Sequence, residues 1–171
     1  MIRSLEGKTP KVHPTAFISE AAYVVGDVEI GENSSVWPGA VIRADNGKVV
    51  VGSNTNIQDN SVIHSDSSAT IGSGVTIGHN VLWHGRYLAD NCLVGNGATV
   101  NEGVEVGELS IVGSGAVVLD GMKIPERTVV TGVPARPRSE IEERHEELIR
   151  TRAISYAKRA KVYKDNGLES E

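Results

Sequence analysis

The side chains of this chain best suited to chemistry are three imidazoles, His64, His79 and His84, each set in a stretch otherwise composed like a buried strand: "SVIH", "VTIGHN" and "VLWHG". Neutral imidazole binds a divalent ion at about 2.0–2.1 Å, and three of them with an open fourth position make the arrangement of a catalytic zinc site. Arg43, Asp45, Gln58 and Asp59 lie in the same part of the chain and offer charge and hydrogen bonding around such a site. His13 and His145 stand apart and read as ordinary surface residues. Cys92 is the only cysteine, which excludes an intrachain disulfide and a cysteine-rich metal site.

What must position these imidazoles is a period of six. Leu88, Val94, Val100, Val106, Val112, Val118, Ile124 and Val130 recur without a miss, and Val12, Ile18, Val24, Ile30, Val36 and Ile42 do the same near the start. Four places after the aliphatics stand small residues: Ala16, Ala22, Ser34, Ala40, Thr55, Ser61, Ala98, Ser110, Ala116 and also Cys92. This pattern, with Gly, Asn and Asp at the turns, resembles the hexapeptide-repeat family. The resemblance implies an all-β left-handed parallel β-helix. Three hexads make a triangular coil of about 18 residues, and coils stack at roughly 4.8 Å. The register breaks from Ile42 to Val51, from Ile63 to Ile71 and from Trp83 to Leu88. The first two breaks are expected as small loops leaving the prism, at "RADNGKV" and "HSDSSAT".

Counting hexads as thirds of a coil, Ile42, Ile63, Trp83 and Val100 begin the same third. The residues after them, Arg43, His64, His84 and Asn101, therefore stack in one outward ladder. His79 falls in the preceding third, in a second ladder with Asp59 and Asn96. His64 and His84, one coil apart, can converge on one ion. His79 is roughly 15 Å from His84 along nearly extended chain and cannot join them within a subunit. If prisms stand side by side in a closed threefold ring, the second ladder of one faces the first ladder of the next, and three identical mixed sites result.

The hexads end at Pro134 and Pro137, so the β-helix domain is expected over 1–135 and a C-terminal α-helix with its tail over 136–171. Ser139 followed by Glu142 reads as a capping box, and Asn166-Gly167 as the stop. Such a helix should pack along the prism or on a neighbouring subunit, or serve only as a solvated cap.

"RADNG", "NIQDNSVIH", "IGHNVLWHG" and "TGVPARP" together resemble the γ-class carbonic anhydrase branch of this family, from about Val12 to the C-terminal helix. The resemblance implies a homotrimer with one zinc or iron(II) ion per subunit, shared between adjacent subunits. His64 and His84 would be ligands from one subunit and His79 from the next. Arg43, Asp45 and Asp59 match interface ion-pair positions, with Asn96 and Asn101 as supporting residues, and Gln58 matches the amide that orients water or bicarbonate. The implied reaction is reversible hydration of carbon dioxide, with hydroxide supplied at the metal. Asn46 stands where the resembled enzymes carry a proton-transferring glutamate. Turnover is therefore expected to be limited by proton transfer, with Asp66, the one carboxylate of the loop after His64, as the competing shuttle.

Two other readings belong to different classes: an acyl-handling enzyme or thioesterase, and a trimeric metal-binding scaffold without catalysis. Lys and Arg number 17 against 22 for Asp and Glu, a net charge of -5, with no block of like charges, which argues against nucleic acid and anionic membranes as partners. The opening lacks an apolar signal segment and no run approaches 18 apolar residues, so a cytoplasmic protein is expected.

Overall fold

A computed structural model describes residues 1–170 of the chain. It is a parallel β-solenoid of about seven turns followed by one helix, Glu143–Asp165. The six-residue aliphatics fill the prism. Ile42, Ile63, Ile77, Leu88, Val94 and Val100 are fully buried in one continuous core. The small position four places on has its own reason. Thr55 Oγ1 donates to Gly72 O (2.7 Å), Ser61 Oγ to Gly78 O (2.6 Å) and Ser110 Oγ to Pro125 O (2.9 Å), so each hydroxyl at the corner ties its coil to the next. Cys92 sits in this slot, its Sγ 3.1 Å from Gly107 O, and burial pushes its thiol up to about 12. A thiol held neutral in this way is a packing residue and not a nucleophile.

Ladder register follows the hexad count: Ile42 pairs with Ile63, Ile63 with Trp83, and Trp83 with Val100. The expected loop at "RADNGKV" does not form. The strand Val41–Val51 runs continuously around the corner beside Tyr23–Ile30, and it carries residues 45–48 as a bulge opposite Asp27, next to the positive-φ Gly26. The extra residues stay extended because backbone pairing continues on both sides of the bulge. "HSDSSAT" is a short bend, as expected.

The helix also starts later than Ser139. Residues Arg136–Glu140 instead add an antiparallel strand to Thr128–Thr131, which commits the Ser139 backbone to pairing with Val129. Glu142 becomes the N-cap, and its N–H donates to His145 Nδ1 (3.0 Å), so His145 works as a capping partner and not as a bystander. The end agrees with expectation: Asn166 closes the helix and Gly167 takes φ 71°. No described helix is long and apolar enough to cross a membrane.

The three prism faces differ in what they present outward. The face of Val51, Ile71, Leu88 and Val106 carries cross-coil ion pairs, Lys11–Glu29, Lys48–Glu29 and Lys123–Glu105, as a solvated surface should. The face of Ile57, Ile77 and Val94 is covered by the helix. Phe17, Trp37, Tyr156, Ala160 and Tyr163 pack together at one end of it, and Ile111, Val129, Ile141 and Ile149 at the other. The third face carries the His64 and His84 ladder. Alongside it runs an apolar ladder of Tyr23, Val41, Val62, Leu82 and Val117, interrupted by Thr99, which no described element covers, so that Tyr23 and Leu82 stay exposed.

Trp83 is the largest side chain inside the prism, on the core side of this histidine face. It fits because residue 85 has no Cβ, which would lie 2.8 Å from the Trp83 ring. Gly85→Ala is therefore expected to cost about 1–3 kcal/mol through overpacking. Trp83→Leu should remove most of that cost in the double variant. Denaturant titration of the four proteins measures both effects, and an additive double variant would show that the ring is not what excludes the methyl group.

Candidate metal centre

Parallel register sets Arg43, His64 and His84 in successive coils of one face, so the imidazoles stack with ring centroids 5.0 Å apart and planes inclined by 26°. His64 Nδ1 and His84 Nε2 are 3.0 Å apart. Two nitrogens sharing a tetrahedral ion at zinc–nitrogen bond length stand roughly 3.3 Å apart, so the pair needs only a small adjustment to chelate. Asp66 Oδ1 lies 3.8 Å from His84 Nε2, and one donor atom from each of His64, Asp66 and His84 falls within 4.8 Å of the others. Among the described residues this is the one cluster of three or more His, Cys, Asp or Glu donors so close together. A donor set of two imidazoles and an exposed carboxylate suits a borderline divalent ion.

The other nitrogen of His64, Nε2, is 3.0 Å from Asp45 Oδ1, and Arg43 bonds the second Asp45 oxygen. Burial works upward on the Asp45 carboxyl, but Arg43 and His64 outweigh it and hold the group below its ordinary range. A carboxylate on the far nitrogen of a ligating imidazole fixes the ring's orientation. Arg43 and Asp45, expected at interface ion-pair positions, pair with each other within one chain.

His79 takes no part in this cluster. It sits where the helix-covered face turns toward the histidine face, in register with Asp59 and Asn96. Asn96 Oδ1 accepts its backbone N–H (3.0 Å), and Asp59 Oδ2 lies 3.0 Å from its Nδ1, which leaves Nε2 pointed away from the carboxylate. Beside it opens a cleft of about 230 Å³ lined by Gln58, His79, Asn96, Arg152 and Tyr156. Gln58 is buried, and its Nε2 donates to Asn56 Oδ1 (2.8 Å). Asn56 Nδ2 donates in turn to Thr76 Oγ1 (2.9 Å), so the amide is held in one orientation at the cleft wall. Burial, and then the Asp59 charge, raise the Tyr156 hydroxyl above its ordinary value.

The sequence-derived residues therefore divide into two groups. His64, His84, Arg43, Asp45 and Asp66 come together. Gln58, Asp59, His79 and Asn96 form the second group at the neighbouring corner. Asn46 is exposed in the bulge, and Asn101 lies one coil beyond His84. Three residues near the centre went unread: Asn56, Tyr156 and Glu102, whose Oε2 is 2.9 Å from His84 Nδ1. Asn56 stands two places before Gln58, where alternation along a strand could have flagged it. Tyr156 arrives from the helix, whose docking position no local pattern specifies.

Residues 9–44 and 87–120 match the family model described as bacterial transferase hexapeptide (six repeats). A carbonic anhydrase of Geobacillus kaustophilus is 40% identical over 169 residues, 96% of this chain and 91% of that protein. Mitochondrial gamma carbonic anhydrase 1 of Arabidopsis thaliana is 42% identical over 107 residues, 58% of this chain and 39% of that protein. Among solved structures, a hexapeptide transferase family protein from Anaplasma phagocytophilum superposes with a TM-score of 0.92 at 34% identity, covering 95% of this chain and 98% of that one.

Proposed function

Since this chain belongs to the hexapeptide-repeat family, in the branch of the γ-class carbonic anhydrases, we propose that it hydrates carbon dioxide reversibly at metal sites shared between the subunits of a homotrimer. The observation that carries this reading is the convergence of His64 and His84 beside an uncovered apolar face. Leu82 is 43% exposed and Tyr23 38%, and apolar ladders of this extent on a β-face ask for a partner. A second copy supplies one. Its corner with His79 and Gln58 would close over this face and bring the third imidazole to the first two.

A divalent ion on three neutral imidazoles brings the pKa of water toward 7, so hydroxide is available at neutral pH, and zinc and iron(II) both suit the donor set. The chain's own residues do the rest. Asp45 and Asp59 hold the far nitrogens of His64 and His79 and so aim the near ones. Gln58, clamped by Asn56, offers a hydrogen bond to bicarbonate or water at the cleft wall.

The proton released on each turnover needs an acceptor. Asn46 has no titratable proton near neutral pH, whereas Asp66, 66% exposed and 3.8 Å from His84 Nε2, faces both centre and solvent. Asp66→Asn is expected to lower kcat about tenfold or more in weak buffer, with kcat/KM nearly unchanged, and added imidazole should restore it. If Asp66→Asn has no effect and Asn46→Glu raises turnover, the wild-type chain lacks a shuttle and the role assigned to Asp66 is wrong.

The transferase relative favours a second reading, acyl transfer or thioester hydrolysis. Transfer would need an imidazole base free of metal, whereas His64 and His84 face each other at 3.0 Å, a spacing that suits chelation better than proton abstraction. Stopped-flow carbon dioxide hydration on zinc- and iron(II)-loaded protein, run beside an acetyl-coenzyme A consumption assay, decides between them. Hydration that vanishes with a chelator is expected. Acetyl transfer that persists in chelator, without hydration, would reverse the assignment.

A further inference from the structure

Glu102 has no place in the reading above. It occupies the turn after Asn101, one coil beyond His84, and its Oε2 approaches His84 Nδ1 to 2.9 Å. That oxygen is shielded from solvent, yet it has no aligned hydrogen-bond donor among the described residues. A shielded carboxylate oxygen without a donor is costly, so its persistence here calls for a donor that arrives in another state of the site. The nearby candidate is the Nδ1–H of His84. The opposite nitrogen, Nε2, is drawn to His64 Nδ1 at 3.0 Å, and the 2.9 Å approach of Nδ1 to Glu102 Oε2 is not aligned as a hydrogen bond.

We infer that Glu102 is a positioning residue for His84, whose shielded oxygen receives Nδ1–H when the ring turns to present Nε2 to a metal ion. The inference rests on the metal-centre reading. It completes a pattern the other two imidazoles already follow: Asp45 stands at the far nitrogen of His64 and Asp59 at that of His79. Such a partner fixes the tautomer and raises ligand basicity, and losing one typically weakens metal binding 10- to 100-fold. A neutral imidazole has one N–H, so an acceptor at Nδ1 commits the lone pair to Nε2.

The test compares wild type, Glu102→Ala and Glu102→Gln. Zinc and cobalt(II) affinities are measured by competition with a chromophoric chelator. The imidazole tautomers of the metal-free proteins are read from ¹⁵N spectra at alkaline pH. Glu102→Ala should bind about 10- to 100-fold more weakly, with altered cobalt(II) visible bands and a mixed His84 tautomer. Glu102→Gln, whose amide oxygen can accept the same N–H, should stay within about fivefold of wild type with the Nδ1–H tautomer kept. Metal-free thermal unfolding should not differ among the three. Wild-type protein that binds neither ion while Glu102 still sets the tautomer would remove the metal reading and retain the positioning role. An identical tautomer ratio in wild type and Glu102→Ala, or undiminished metal affinity in Glu102→Ala, overturns the inference.

Discussion

His79→Ala protein is expected to carry no catalytic metal and to lose carbon dioxide hydration by at least about a thousandfold, because hydroxide at neutral pH depends on the ion. Each prism should nevertheless stay folded. His79 points outward, and its backbone N–H bond to Asn96 does not need the imidazole. His84→Ala should fail equally, from the other side of the interface. The two dead variants should then rescue one another. In a threefold ring, any trimer containing both types has one interface where intact His64 and His84 meet an intact His79. Random mixing therefore returns about a quarter of the wild-type sites. Unfolding and refolding the variants together, then measuring hydration and metal per chain, tests this. Failure to recover any activity, with mixed trimers demonstrated by differential tagging, would show that each site is built within one subunit.

Leu82→Glu should break the proposed trimer. Leu82 lies at the middle of the uncovered ladder, between Val62 and Thr99, and is 43% exposed in the single chain. A carboxylate there would be buried without a partner at every interface, at a cost of several kcal/mol each. Sedimentation at micromolar protein should show monomers of unchanged circular dichroism, with hydration down at least about a hundredfold because His79 of a neighbour no longer arrives. Thr70→Glu is the control. Thr70 occupies the matching outward position on the face that carries ion pairs, next to Tyr87 in register, and a charge there stays in water. A Leu82→Glu protein that remains trimeric would move the subunit contact to another face.

Much of this architecture is legible in the residues, for a definite reason. A period of six with three hexads per coil leaves one stacking register, since a slip of one residue would turn every buried aliphatic outward. Once the register is set, the ladder Arg43, His64, His84, Asn101 follows by counting, and so does the separation of His79 from it. Interruptions of the period are less legible. The gap between Ile42 and Val51 is equally consistent with a loop or with a bulge in a continuous strand, and the choice depends on pairing with Tyr23–Ile30 through the corner.

The chain by itself determined the solenoid, its register, the faces on which the imidazoles stand and the composition of the helix. Only the tertiary structure decided where that helix begins and which face it covers. Arg136–Glu140 had to compete for the edge of Thr128–Thr131, and a helical pattern of buried Ile149, Ala153 and Ala160 does not name its partner surface. The structure also decided which carboxylate meets which imidazole. Asp45, Asp59 and Glu102 reach their rings from a bulge, a ladder and a turn, and the direction of a side chain at a corner is set by neighbouring coils and not by the local sequence.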